Sequence, residues 1–161
     1  MRILLVIISL VLSVNAKAQA QAIQVDMDHA TFAYSEAEAL LEVYLAFEAE
    51  KLNFQAHESG FSADLPFQIA VHRATTAERA LGVAPVWRDS TALSFVVADT
   101  SQVYPGQYFL HQVRTTVPPG ELEVNVSVPA DVVFERTAVE LKPHVIIPDY
   151  AQHEQATLSD M

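Results

Sequence analysis

The stretch FSADLPFQIAVHR alternates without a break, and that alternation limits the chain more than any other feature. Phe61, Ala63, Leu65, Phe67, Ile69 and Val71 fall on one parity; Ser62, Asp64, Pro66, Gln68, Ala70 and His72 fall on the other. Successive side chains of an extended strand point to opposite faces, so this pattern describes a strand with one buried face. A helix would scatter the same apolar residues around its circumference. Pro66 stands on the polar parity and has no N–H to give to a ladder. It places this strand at an edge or at a bulge.

The same test settles a less obvious stretch, SEAEALLEVYLAFEAEKLNF. Its Ala, Glu and Leu are strong helix formers. Yet Leu41, Val43, Leu45 and Phe47 share one parity against Glu42, Tyr44, Ala46 and Glu48. A helix here would be apolar on all sides while still carrying glutamates, so strand is the better reading. Leu52 to Phe54 begins a further strand, HESG turns the chain into the Phe61 strand, and Ser35 to Ala39 forms a helical turn or a loop. IQVDMDHATFAY, with Val25, Met27, Phe32 and Tyr34, reads as a first strand. Leu93, Phe95 and Val97 alternate, as do Leu122, Val124, Val126 and Val128. Thr137, Val139 and Leu141 continue the pattern before HVII. YPGQ and PPGE each offer Pro then Gly at the centre of a type II turn.

About eight short strands with turn signals roughly 8–12 residues apart predict an all-β, Ig-like antiparallel sandwich. Thr75 to Ser90 is the exception, either a short helix around Ala77 to Leu81 or a loop leading into a strand near Trp87.

A chain of 161 residues suits one domain, and 51% apolar against 18% charged residues gives it enough to bury. The N-terminus stands apart from that domain. MRILLVIISLVLSVNAKAQAQA has Arg2, an apolar run from Ile3 to Val14, and small residues at Ala16, Ala18 and Ala20. This is the order of a secretory signal peptide over residues 1–22. The run is too short to span a bilayer comfortably. No Cys follows it, so the expectation is a cleaved leader rather than a lipid anchor. The expected domain is then 23–161, periplasmic or secreted from a bacterium, with no membrane span after cleavage. Having no Cys, it must hold together by its core alone.

The net charge is −11, and all 20 acidic residues lie beyond Ala22. Without Arg2 and Lys17, 7 basic residues face 20 acidic ones, a net of −13. Such a surface repels phosphate backbones and anionic lipid, which argues against nucleic acid as a partner.

Chemistry is sparse. There is no Cys nucleophile and no Gly-x-Ser-x-Gly elbow, and four Gly cannot make a phosphate loop. His57, His72, His111, His144 and His153 are scattered. Asp26, Asp28 and His29 are the candidate metal ligands, since two carboxylates two residues apart on a strand share a face. Alternating polar residues on a solvated face explain them equally, and that reading takes precedence. Glu36, Glu38, Glu42, Glu48 and Glu50 are read as a solvated acidic face. Trp87 is read as a core side chain before a sugar platform. Asn125-Val126-Ser127 matches a glycosylation acceptor but falls inside an expected strand. No catalytic residue and no cofactor is expected.

LLEVYLAF, KLNFQAHESGFSADL, VPPGELEVNVSV, IPDY and LSDM, in that order, resemble the N-terminal region of bacterial GWxTD domain-containing proteins. The matching residues are Leu41 to Tyr44, Leu52 to Phe54, Pro119 to Leu122 and Leu158 to Asp160. The Gly-Trp-x-Thr-Asp signature itself is absent, and the only Trp, Trp87, stands in VWRDS. The resemblance implies an exported β-sandwich module, a fragment or a stand-alone version of that N-terminal domain, and brings no catalytic residues.

The expected function is therefore a non-catalytic module for protein binding or envelope assembly. Recognition would use end loops near Gly60, Pro105 and Pro119 or an exposed strand edge such as the Pro66 strand. The alternatives are a structural domain packed on a downstream domain of the same protein, and a carbohydrate- or metal-binding domain or enzyme.

Overall fold

The structure is a computed structural model that describes residues 23–74, 83–131 and 137–152. Residues 1–22, expected to be a leader, the segment around Ala77 to Leu81, and Leu158 to Asp160 lie outside these residues. The described residues form nine strands: β1 (Val25–Ala33), β2 (Ala39–Glu48), β3 (Gln55–His57), β4 (Gly60–Arg73), β5 (Trp87–Val97), β6 (Tyr108–Val117), β7 (Gly120–Val128), β8 (Val139–Leu141) and β9 (His144–Ile147). Every pairing is antiparallel. The strands form two sheets, one of order β1–β2–β6 and one built on β5–β4–β7. In the larger sheet β3 and β7 share one side of β4, and β8 and β9 share the far side of β7.

The alternation becomes the core. Ala39, Leu41, Val43, Leu45 and Phe47 of β2 are buried, as are Ala63, Leu65, Phe67, Ile69 and Val71 of β4. Leu122, Val124, Val126 and Val128 of β7 complete the larger sheet's inner face, with Val145 and Ile147 of β9. Each Val, Leu, Ile or Phe among them contributes about 1.5–3 kcal/mol by leaving water. Aromatic rings tie the sheets together: Phe47 lies 6.4 Å from Phe67 and 5.9 Å from Phe95, and Phe95 stacks on Phe109 at 4.8 Å.

The local expectations fare unevenly. Glu58-Ser59 turns β3 into β4, as HESG predicted. Gly106 has φ +80°, and the Gln107 amide donates to the Tyr104 carbonyl at 3.1 Å, which makes YPGQ a type II turn. Gly120 instead has φ +124° and opens β7, so PPGE is a crossing between the sheets rather than a second such turn. Ser35 to Glu38 is a loop, with the Ser35 hydroxyl oxygen accepting from the amides of Ala37 and Glu38. Leu52 to Phe54 precedes β3 and is not strand, because a single 3₁₀ turn, Ala49–Lys51, reverses the chain there.

Pro66 is the instructive departure. β4 is interior, and its register with β5 runs through Pro66↔Ala92 without a bulge. However, β3 pairs only with residues 60–62 of β4 and β7 only with 68–73. Pro66 lies in the gap between them, where one side of β4 has no neighbour among the described strands.

Candidate interaction surface

The register that buries one face of the three-stranded sheet points the other face to solvent. Across it run four rows of opposed side chains: Phe32–Leu40–Thr116, Ala30–Glu42–Arg114, Asp28–Tyr44–Gln112 and Asp26–Ala46–Leu110, with Glu48–Tyr108 at the end. Polar residues are expected on a solvated face. Here Leu110 is 80% exposed, Phe32 45%, and Tyr44 and Tyr108 39% each. Tyr34, just past β1, is 64% exposed. An apolar and aromatic face of this kind is the usual mark of a contact surface.

One network fixes its centre. Glu42 lies on the outward parity but is only 7% exposed, because its neighbours fold over it. The Tyr44 hydroxyl donates to Glu42 Oε2, and Arg114 Nε donates to Glu42 Oε1 at 2.7 Å. The bond to this carboxylate, foremost, pushes the Tyr44 phenol above its ordinary pKa. Lost solvent and the carboxylate's charge add to that, while Gln112 and Arg114 oppose it. The ring of Tyr44 is thereby held on the face by its hydroxyl, which lowers the entropy lost when a partner docks.

The metal candidates divide between faces. Asp26 and Asp28 point outward opposite Ala46 and Tyr44, whereas His29 is on the inward parity opposite Val43. Among the described residues no group of three His, Cys, Asp or Glu side chains is placed to hold a metal ion. Trp87 is on the inward parity of β5, opposite Val71, and packs against the core. His57 and Glu58 are exposed at the β3–β4 hairpin.

The outward face of the larger sheet is different in kind. A groove of about 570 Å³ lies over Ala70, lined by Gln68, His72, Arg88, Ser90, Asn125 and Ser127 among others. Asp89 is the carboxylate residue in its lining. Elsewhere on this face Glu123 lies 3.6 Å from His144, and Glu140 takes Lys142 at 2.8 Å and accepts from the Asn125 amide at 3.3 Å. Asn125 Oδ1 is buried with no hydrogen-bond partner among the described residues.

Inside the sandwich, His111 of β6 meets Phe67 edge-on at 5.5 Å. Burial pushes its imidazole below the ordinary pKa, and the Asp89 carboxylate pulls the other way. Asp89 is itself an inward-parity charge on β5, opposite Ile69. Charges in that position discourage strand addition at an open edge. Among the described strands β5 pairs with β4 alone, so Asp89 guards that edge.

The face was not singled out from the sequence. In YFLHQVRTTV, His111 and Thr115 dilute the inward row, Phe109, Val113 and Val117, so the alternation is weak. The available signal was Tyr108 and Leu110 sharing a parity with Gln112 and Arg114.

No family model matches the chain, and no curated protein matches it. Among solved structures, the chain is similar to a β-glucosidase from Kluyveromyces marxianus at 12% identity and a TM-score of 0.29. The match covers 78% of this chain and 15% of that one. A likeness at that score carries no inference about this chain's chemistry.

Proposed function

We propose that this chain is an exported, non-catalytic β-sandwich module, periplasmic or secreted, that binds a protein partner through the outward face of β1–β2–β6. The observation that carries the reading is the exposed row of Leu110, Tyr44, Tyr108 and Phe32 on a face whose register would otherwise be polar. The leader-like N-terminus supports export, and the resemblance to the GWxTD-type N-terminal region supports an envelope setting. No helix among the described residues is long and apolar enough to cross a membrane.

A photo-cross-linking residue placed at Leu110 in the producing bacterium tests the reading, with Gln68 on the opposite sheet as control. The expected result is one discrete adduct from position 110, lost when Tyr108→Ala is added, and none from position 68. Equal adducts from both positions would overturn it. N-terminal sequencing of the exported protein should give a first residue between Gln19 and Ile23.

A further inference from the structure

The aromatic side chains of this face do not stand alone. Tyr44 is directly opposite Asp28, and Tyr108 is directly opposite Glu48, each pair sharing the outward side. Opposed residues on one face have their Cβ atoms about 4.5–5.5 Å apart. Each pair therefore offers a ring and a carboxylate to the same small volume, which is the chemistry that holds an ammonium or guanidinium group. Residues 44 and 48 of β2 are four apart, about 13 Å along the strand. Between them lie Ala46 and the exposed Leu110, a small apolar step.

The charges of the face point the same way. Its strands carry Asp26, Asp28, Glu42 and Glu48 against Arg114 alone, and Arg114 is taken by Glu42. Asp26, Asp28 and Glu48 have no cationic partner among the described residues. A second copy of this face would bring the same surplus of negative charge, and an anionic lipid surface would be repelled.

We propose that the partner is a cationic polypeptide carrying two Lys or Arg side chains about 13 Å apart with an apolar side chain between them. The basic groups enter the Asp28–Tyr44 and Glu48–Tyr108 pairs, and the apolar group covers Ala46 and Leu110. This rests on the reading of the face as the binding surface and specifies what it takes.

The test titrates the exported full-length protein, purified after its own export, with a blocked peptide Lys-Ser-Leu-Ser-Lys and its Glu-for-Lys counterpart. Amide chemical shifts of the protein report where each binds. The Lys peptide should bind saturably with a Kd of about 0.1–1 mM and shift Tyr108, Leu110 and Gln112. Asp28→Asn and Glu48→Gln should each weaken it about two- to five-fold, and raising salt from about 50 to about 300 mM should weaken it further. Equal binding of the Glu peptide, or no binding of either, would overturn the proposal. So would binding to phosphatidylglycerol vesicles that competes with the Lys peptide. If Leu110→Ser abolishes binding while both carboxylate variants leave it unchanged, the face binds but not through cations, and only this inference falls. If the shifts map to the Ala70 groove and ignore Leu110→Ser, the reading of the face falls with it.

Discussion

Among the described glycines, Gly60 is the one where an added methyl group should do most damage. Gly60 pairs with His57 where the β3–β4 hairpin passes the end of β5, and its φ is +139°, a conformation L side chains rarely adopt. Forcing a side chain there costs about 1–3 kcal/mol. The added Cβ would also lie 2.4 Å from the Val97 carbonyl oxygen and 3.1 Å from Ala98 Cα. Both are backbone atoms, so relief requires shifting the Phe61↔Val97 end of the β4–β5 ladder. An overpacking cost of about 1–3 kcal/mol is added. The sum is about 2–6 kcal/mol. Gly106→Ala is the internal control: φ is +80°, but nothing lies within 4 Å of its Cβ, so only the conformational cost of about 1–2 kcal/mol applies. Urea unfolding followed by Trp87 fluorescence, with thermal melts by circular dichroism, measures both. At about 3 °C per kcal/mol, Gly60→Ala should lower Tm by roughly 6–18 °C and Gly106→Ala by roughly 3–6 °C. Equal shifts in the two variants would refute the close approach of the hairpin to β5.

Three further outcomes follow from the packing. Phe67→Ala should cost about 3–5 kcal/mol in urea unfolding, and it should also raise the His111 pKa read by NMR, because the ring that desolvates the imidazole is gone. In the native protein the His111 pKa is lowered, so the unfolded chain binds more protons between the folded value and 6.5. Stability from this group is complete above the unfolded value and is lost as pH falls from there through the folded value; His111→Phe should flatten that part of the pH–stability curve relative to the native protein. Arg114→Ala should cost about 1–2 kcal/mol by leaving the Glu42 carboxylate with Tyr44 alone, a modest figure because Arg114 is 62% exposed, whereas the double variant Glu42→Leu, Arg114→Leu should unfold at nearly the native urea midpoint.

The sequence by itself determined which residues face inward. In β2, β4 and β7 the side chain alternates every residue, so parity alone separates Leu41 from Glu42 and Phe67 from Gln68 before any partner strand is known. It also determined the turns whose chemistry is local, such as Tyr104–Gln107. The partners of each strand were decided only by tertiary structure. Pro66 carried the local information that an N–H is missing, but β3 and β7 dividing one side of β4 is what created its gap. Tyr44 already stands on the polar parity of β2, but only the register with β1 and β6 gathers it with Phe32 and Leu110 on one face. The pairing of Tyr44 with Asp28 and of Tyr108 with Glu48 joins residues 16 and 60 positions apart in sequence. No periodicity reaches that far, because a strand's pattern reports its own two faces and is silent about its neighbours.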